Sequence, residues 1–398
     1  MAKRWTNIVI VGFLILCSTS FYKLTFVGAS MEKGLQLIGG VITIVLIIFH
    51  LIYSEQKNIK QNYSLALFLI VFSMLTSMVT AYVTRDQRFI YTLFAQRALY
   101  FYFLYFLLHQ LKIDPKDLEK MIIFFALVYV AVHLVQTIVY PRIITNGTIR
   151  VERGTIRIYT MGADYIATAF LIYLQRFLRL NKFKYLFMLF VIISIYIMRG
   201  GRSSIAIQAL TVVLFLIIDR KVRSRFFLVI LGLIGSFAIF MIFQNIFLEL
   251  FQQSQVDASK GEDYIRIRAV RYYLTDFFEY PIAYITGNGM QYPHSNYGKL
   301  VRLNAIKYRF FLSDIGLIGN YVNYGFFFVL GVLGIFARTM RLKIEPDYIY
   351  VKYLFVAIII GILTSGAFAE SDFIGMIVCL MYLVDTSNNT YLQKLEAT

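Results

Sequence analysis

The chain is short of charge. Asp, Glu, Lys and Arg together make up 15% of its 398 residues, against about 25% in an ordinary soluble domain. Hydrophobic residues reach 59%, more apolar surface than a soluble fold of this length can hide in one core. The two cysteines, Cys17 and Cys379, lie inside apolar runs, where they read as small buried hydrophobes and say nothing of redox compartment. No small-residue cleavage site follows the first apolar run, so the helix that starts after Met1-Ala2-Lys3-Arg4 is expected to stay in the protein rather than be removed as a leader. There is no internal repeat and no low-complexity segment. His/Cys clusters and Asp-x-Asp pairs are missing too, so neither a metal centre nor a cofactor is expected.

What is present is a series of continuous apolar runs of about 20 residues, not alternating, which in lipid satisfy their backbone as helices. They fall near 6–27, 34–53, 63–83, 89–108, 121–140, 161–175, 184–198, 203–218, 226–247, 314–336, 351–368 and 373–384. The expected fold is an all-α polytopic membrane protein with about 12 transmembrane helices. Its parts are helices 1–9 in residues 1–248, a polar extracytoplasmic loop subdomain in 249–313, and helices 10–12 with a cytoplasmic C-terminus in 314–398.

The short basic loops around Lys57, Lys116, Arg179, Lys221 and Arg341 all fall on one side and mark it as cytoplasmic, with both termini there. The opposite side prefers Arg to Lys: Arg85, Arg142, Arg157, Arg199, Arg202, Arg266, Arg268 and Arg271 lie on it. Guanidinium grips phosphate bidentately, so this surplus points to an anionic ligand outside.

Ionisable groups within a bilayer are expensive and suggest function. Arg97, Asp164 and His133, with Glu370 and Asp372 at the last outer turn and Asn320, Asn323 and Tyr324 in the tenth span, all belong to the outer half. A polar cavity open to the outside is expected. Arg97 paired with Asp164 across two helices is the plainer alternative.

Two stretches carry candidate chemistry. Arg199-Gly200-Gly201-Arg202-Ser203-Ser204 is a tight turn between apolar helices that ends at a helix N-terminus, where free N–H groups favour an anion. Residues 266–274 read as a helix with basic and apolar faces. Pro281, Gly287-Asn288-Gly289, then His294-Ser295-Asn296-Tyr297 follow, and Asp314-Ile315-Gly316 enters the next span. Histidine titrates where a general base near neutrality is needed.

This ordered set, from about Met198 to Phe336, resembles the O-antigen polymerase/O-antigen ligase superfamily, whose pattern runs R…P…GxG…H(N/S)xY…GxxG after an Arg-bearing turn. The resemblance implies a metal-independent glycosyltransferase in a bacterial cytoplasmic membrane. Its partners would be membrane lipid, glycans carried by undecaprenyl pyrophosphate and a chain-length regulator, not nucleic acid. It implies that Arg199 and Arg202 hold the donor pyrophosphate, with Arg271, Arg157 and Arg97 as further phosphate contacts. Arg266 or Arg268 would stabilise the leaving diphosphate, and His294 would take the acceptor proton. Asp164, Asp314, Tyr297 and Asn296 would complete a polar surround. The product would be O-antigen, capsule or exopolysaccharide. A polymerase, a ligase moving finished glycan to another acceptor, and a lipid-linked glycan flippase remain open; the flippase fits less well, because no repeat symmetry or midplane polar site is evident.

Overall fold

A computed structural model describes residues 2–53, 61–152, 155–199, 202–218, 244–362 and 367–396. Most of the expected ninth span, Gly200 and Gly201 of the Arg-bearing turn, and the basic loops at Lys57 and Lys221 lie outside those residues. Helix dominates, as expected from the apolar runs. In order come α1 (Ala2–Ser18), α2 (Ala29–Tyr53), α3 (Ser64–Arg85), α4 (Phe89–Ala95), a 3-10 segment (Arg97–Phe103), α5 (Leu104–Leu111) and α6 (Pro115–Val139). A two-stranded antiparallel hairpin, β1 (Thr148–Glu152) and β2 (Thr155–Tyr159), interrupts them. Then follow α7 (Ala163–Leu180), α8 (Phe183–Met198), α9 (Arg202–Ile218), α10 (Gln244–Ser259), α11 (Ile265–Thr275), α12 (Ala283–Thr286), α13 (Asn296–Tyr308), α14 (Gly316–Arg341), α15 (Ile349–Gly361) and α16 (Ser371–Glu396).

Among the described residues, four helical stretches are long and apolar enough to cross a membrane: Ser30–Tyr53, Ser64–Arg85, Pro115–Val139 and Leu312–Arg341. Phe183–Met198 and Ile205–Phe215 are shorter apolar helices. Leu65, Phe68, Val83, Phe124 and Ile138 on these helices are exposed, which suits lipid and would be costly in water. Local signals place the ends. Asp114 caps α6 by accepting the Lys116 N–H at 2.9 Å, with Pro115 at the first helical position, where its missing donor costs nothing.

Two apolar runs are not the single straight helices that hydropathy suggests. The run at 89–108 divides into α4, the 3-10 segment and α5, with Arg97 at the first junction. Inside α14, Gly325 has φ of 76° and breaks the helix. Its carbonyl-side neighbours are used: Asn288 N–H donates to the Val322 carbonyl at 2.9 Å and Gly289 N–H to the Asn323 carbonyl at 2.8 Å. The Gly-x-Gly of the polar loop is thus a strand-like insertion against a broken helix.

The polar stretch forms a subdomain with its own small core, in which Tyr273, Phe277, Tyr297, Val301 and Ile315 are buried together. Arg85, at the end of α3, fastens it to the bundle. Its side chain is 4% exposed. It pairs with Glu279, donates to the Phe277 carbonyl and to Asn288 Oδ1, and lies 4.8 Å from the Phe277 ring and 5.4 Å from the Tyr297 ring. A buried guanidinium so surrounded ties two elements far apart in sequence.

At the far end of the bundle, Asp385 is fully buried, with Asn62 donating to it through both its backbone N–H and its side chain (3.2 and 2.8 Å), the Tyr105 hydroxyl bonded to it, and His109 Nε2 at 3.2 Å. Asp385 stands fourteen residues into α16, roughly 20 Å along at 1.5 Å per residue. Buried polar residues therefore also gather around Asp385, beyond those the sequence singled out.

Candidate functional site

A cavity of about 670 Å3 opens where the starts of α7 and α16 meet α2, α4, α9 and the end of α8. Its first cation comes from an unusual turn. Ser20, Phe21, Tyr22 and Lys23 all have φ between 47° and 56°, a left-handed run that L-residues adopt only when surroundings impose it. Those surroundings are specific. Tyr22 donates its hydroxyl to the Phe125 carbonyl at 2.9 Å, and Thr145 Oγ1 donates to the Tyr22 and Lys23 carbonyls at 3.1 and 3.0 Å. Gly162 packs against the Tyr22 ring, where a Cβ would come within 2.7 Å. The turn delivers Lys23 to the cavity wall, paired with Glu32 at 3.1 Å.

Arg97 enters from the junction after α4. Its Nε donates to Gln36 Oε1 at 2.8 Å and its Nη1 to the Phe94 carbonyl at 3.2 Å. The Gln36 amide is itself fixed, since its Nε2 donates to Ser20 Oγ at 2.9 Å. Arg97 is therefore positioned by α2 and not by Asp164. Arg199 closes α8. Its guanidinium lies 5.7 Å from the Tyr129 ring, and its Nε has no hydrogen-bond partner among the described residues. Behind it, His133 is fully buried with neither ring nitrogen bonded, 6.2 Å from Tyr129. Arg157 donates its Nε to the Arg199 carbonyl at 2.7 Å, a cation set against a helix C-terminus.

The remaining wall is acidic. Asp164 lies in the first turn of α7 and Asp372 in the first turn of α16, with Glu370 just before it. Asp372 Oδ2 accepts the Gly162 N–H at 2.7 Å and so joins the two helix starts, while its Oδ1 has no partner. Burial pushes the Glu370 carboxyl up to about 7, with the Asp372 carboxylate adding to the shift. Burial likewise raises Asp372. Gln208 of α9, 9% exposed, presents an unpartnered Nε2 to the same space. No group of three or more His, Cys, Asp or Glu placed to hold a metal ion occurs among the described residues.

No protein-family model matches the chain, and no curated protein matches it either.

Of the residues singled out from sequence, Arg97, Arg199, Asp164, Glu370 and Asp372 line the cavity and Arg157 stands directly behind Arg199. Arg202 opens α9. The others belong to the loop subdomain. Arg266 is half-buried and Arg268 exposed on α11, and exposed Arg271 pairs with Glu262 at 3.2 Å. Exposed Asp314 sits in the turn before α14. Ser295 caps α13 by accepting the Gly298 N–H at 2.9 Å, exposed Asn296 begins that helix, and Tyr297 is buried with its hydroxyl on the Gly289 carbonyl at 3.2 Å. His294 is exposed and does not line the cavity. It reaches the rim indirectly: its ring is 5.7 Å from Tyr292, which stacks on Tyr91 at 4.9 Å, and Met290 of the same loop is on the cavity wall. Gln87 holds that loop by donating to the Met290 carbonyl and accepting from the Tyr292 N–H, each at 2.8 Å.

Sequence reasoning missed Lys23, Gln36 and Gln208. Gln208 was findable, as a polar residue inside an apolar run; Lys23 depends on a left-handed turn with no sequence signature of its own.

Proposed function

We propose that the chain is a polymerase that joins undecaprenyl-pyrophosphate-linked oligosaccharide units into a surface polysaccharide by metal-independent glycosyl transfer. In this reading it crosses a bacterial cytoplasmic membrane about twelve times, with both termini cytoplasmic and the cavity open to the outer face. The observation that carries it is Arg199: a guanidinium on the cavity wall with an unpartnered Nε, accompanied by Arg97. A diphosphate departing from a sugar develops negative charge, and fixed cations in a water-poor cleft stabilise that charge without reorganising. Arg97 and Arg199 would hold the two phosphates, Arg157 would keep the end of α8 in place, and Arg202, at the start of α9, would add a contact. The resemblance in the loop motif supports the same chemistry. Arg266, Arg268, Arg271 and His294 then belong to the surface by which the growing glycan approaches, with His294 at the rim.

The test is transfer in vesicles holding the purified full-length protein and lipid-linked repeat units extracted from its host. A ladder of lengthening glycans on undecaprenyl pyrophosphate is expected, and Arg199→Ala should remove it. Transfer to a different lipid acceptor without a ladder would make the protein a ligase. Movement of the lipid across the bilayer with no new glycosidic bond would overturn the proposal in favour of transport.

A further inference from the structure

We propose that Glu370 is the base that takes the acceptor hydroxyl's proton, and that the acceptor sugar is held by the carboxylate wall of the same cavity whose guanidinium groups face the donor diphosphate. This deepens the glycosyl-transfer reading and rests on it.

Three carboxylates, Asp164, Glu370 and Asp372, share one wall and lie close enough to repel one another. Such a group is unfavourable unless something fills it. Two further observations say that a polar ligand does. Gln208 Nε2 and Asp372 Oδ1, on cavity-lining residues that are each more than nine-tenths buried, have no hydrogen-bond partners among the described residues. A buried unmade hydrogen bond costs about 1–3 kcal/mol. One donor and several acceptors suit a saccharide, whose hydroxyls both give and receive hydrogen bonds. A second diphosphate does not suit them, because it would face three carboxylates.

The three differ in how they are held. Asp372 is engaged through Oδ2 with the Gly162 N–H and Asp164 is carried on the first turn of α7, whereas Glu370 stands in the turn before α16. Glu370 precedes its helix, is exposed to the cavity, and makes no side-chain hydrogen bond or ion pair among the described residues. Enclosure in the cavity and the neighbouring Asp372 carboxylate hold its carboxyl above the ordinary carboxylate range, which makes it a stronger base. His294, the alternative, is outside the cavity wall.

The step balances. The acceptor O–H gives its proton to a Glu370 carboxylate oxygen while that hydroxyl oxygen bonds to the donor's anomeric carbon. The anomeric carbon's bond to the diphosphate oxygen breaks, and its electron pair leaves with the diphosphate toward Arg199. The proton on Glu370 then passes to water at the cavity mouth.

The experiment uses full-length protein in vesicles, with undecaprenyl pyrophosphate as the binding probe and host lipid-linked repeat units for turnover. Glu370→Gln should lower turnover at least about 100-fold, the scale of a lost general base, and at pH 6, where the wild-type carboxyl is largely protonated, leave undecaprenyl pyrophosphate binding at the wild-type value. Glu370→Asp should restore part of the turnover. The wild-type rate should rise with pH through about 7, and Glu370→Gln should lose that limb. The charged groups facing Glu370 are Asp372 and Asp164, which repel its ionised form, and Lys23, which favours it; Arg199 shares the cavity wall and acts on Asp164. Arg97 and Glu32 complete the charged wall. Near-normal turnover in Glu370→Gln overturns the assignment, as does loss of diphosphate binding together with turnover. So does a pH limb that vanishes in His294→Ala and persists in Glu370→Gln. A wild-type protein that neither binds undecaprenyl pyrophosphate nor extends glycan overturns the glycosyl-transfer reading itself, before any variant is compared.

Discussion

Gly287 and Gly325 meet backbone to backbone: a Cβ built on either would stand 2.5 Å from the amide nitrogen of the other. Both also have positive φ, 77° and 76°. The contact seats the loop subdomain in the break of α14 and fixes where residues 287–295 leave for the cavity rim. Neither glycine tolerates a side chain, on conformational and steric grounds together.

Gly287→Ala and Gly325→Ala should therefore each lower stability by at least about 2 kcal/mol, the left-handed penalty plus the clash. Gly34→Ala is the control, since nothing lies within 4 Å of a Cβ there and its helical site gains from alanine. Thermal unfolding in detergent, followed by circular dichroism, measures both. Equal midpoints for Gly287→Ala and Gly34→Ala would show that the loop does not depend on this contact.

Arg85→Ala should release the loop subdomain while leaving the bundle folded. It strips Glu279, Asn288 and the Phe277 carbonyl of one shared donor and leaves a space beside Tyr297. Removing one partner of a buried ion pair costs roughly 3–5 kcal/mol, and Glu279, which is partly exposed, places the loss at the lower end. Limited proteolysis should cut faster between residues 257 and 310, with no change in the protection of α2 or α6.

Arg199→Ala and Arg97→Ala should each weaken undecaprenyl pyrophosphate binding by about 10-fold or more, the scale of a charge-assisted hydrogen bond to phosphate. Arg199→Lys should recover little, because a point charge cannot reproduce the planar fork. Arg268→Ala, on the exposed face of α11, should leave this binding near the wild-type value. Equilibrium titration in nanodiscs resolves the three.

Diphosphate binding should also weaken as pH rises from 6 to 8. Glu370 is held above its ordinary value, so it is largely protonated below about 7 and adds a negative charge to the cavity above it. Ionisation then opposes an anionic ligand. Glu370→Gln should flatten this dependence, with affinity at pH 8 equal to that of the wild type at pH 6. Titration at the two pH values checks it; an unchanged slope in the variant would move the effect to another group.

The sequence made the broad architecture legible because apolar runs of bilayer length report burial in lipid directly. It also placed α11 within a residue or two, but gave no sign that Gly287-Asn288-Gly289 packs against the break in α14. The breaks at Arg97 and Gly325 were hidden, since hydropathy averages over a window and does not register a change in backbone path. Arg97, Arg199 and Asp164 could be suspected from cost alone: charge near hydrocarbon needs a reason. Glu370 and Asp372 group with them on the same ground, but the addition of Lys23 and Gln208 could not be suspected, because it depends on how α2, α7, α9 and α16 converge. Asp385 was missed for a simpler reason. It lies one residue beyond the apolar window, and the helix runs on to Glu396.

The join between Asp372 and Gly162, together with the bond from Ser371 Oγ to the Ser18 carbonyl at 2.6 Å, has a temporal meaning. A ribosome delivers Lys23 long before Asp372. Helices emerging first must wait in the bilayer with the left-handed turn unsupported on one side until α16 arrives to complete the floor. A chain halted before that point would own most of its helices and still have no chamber.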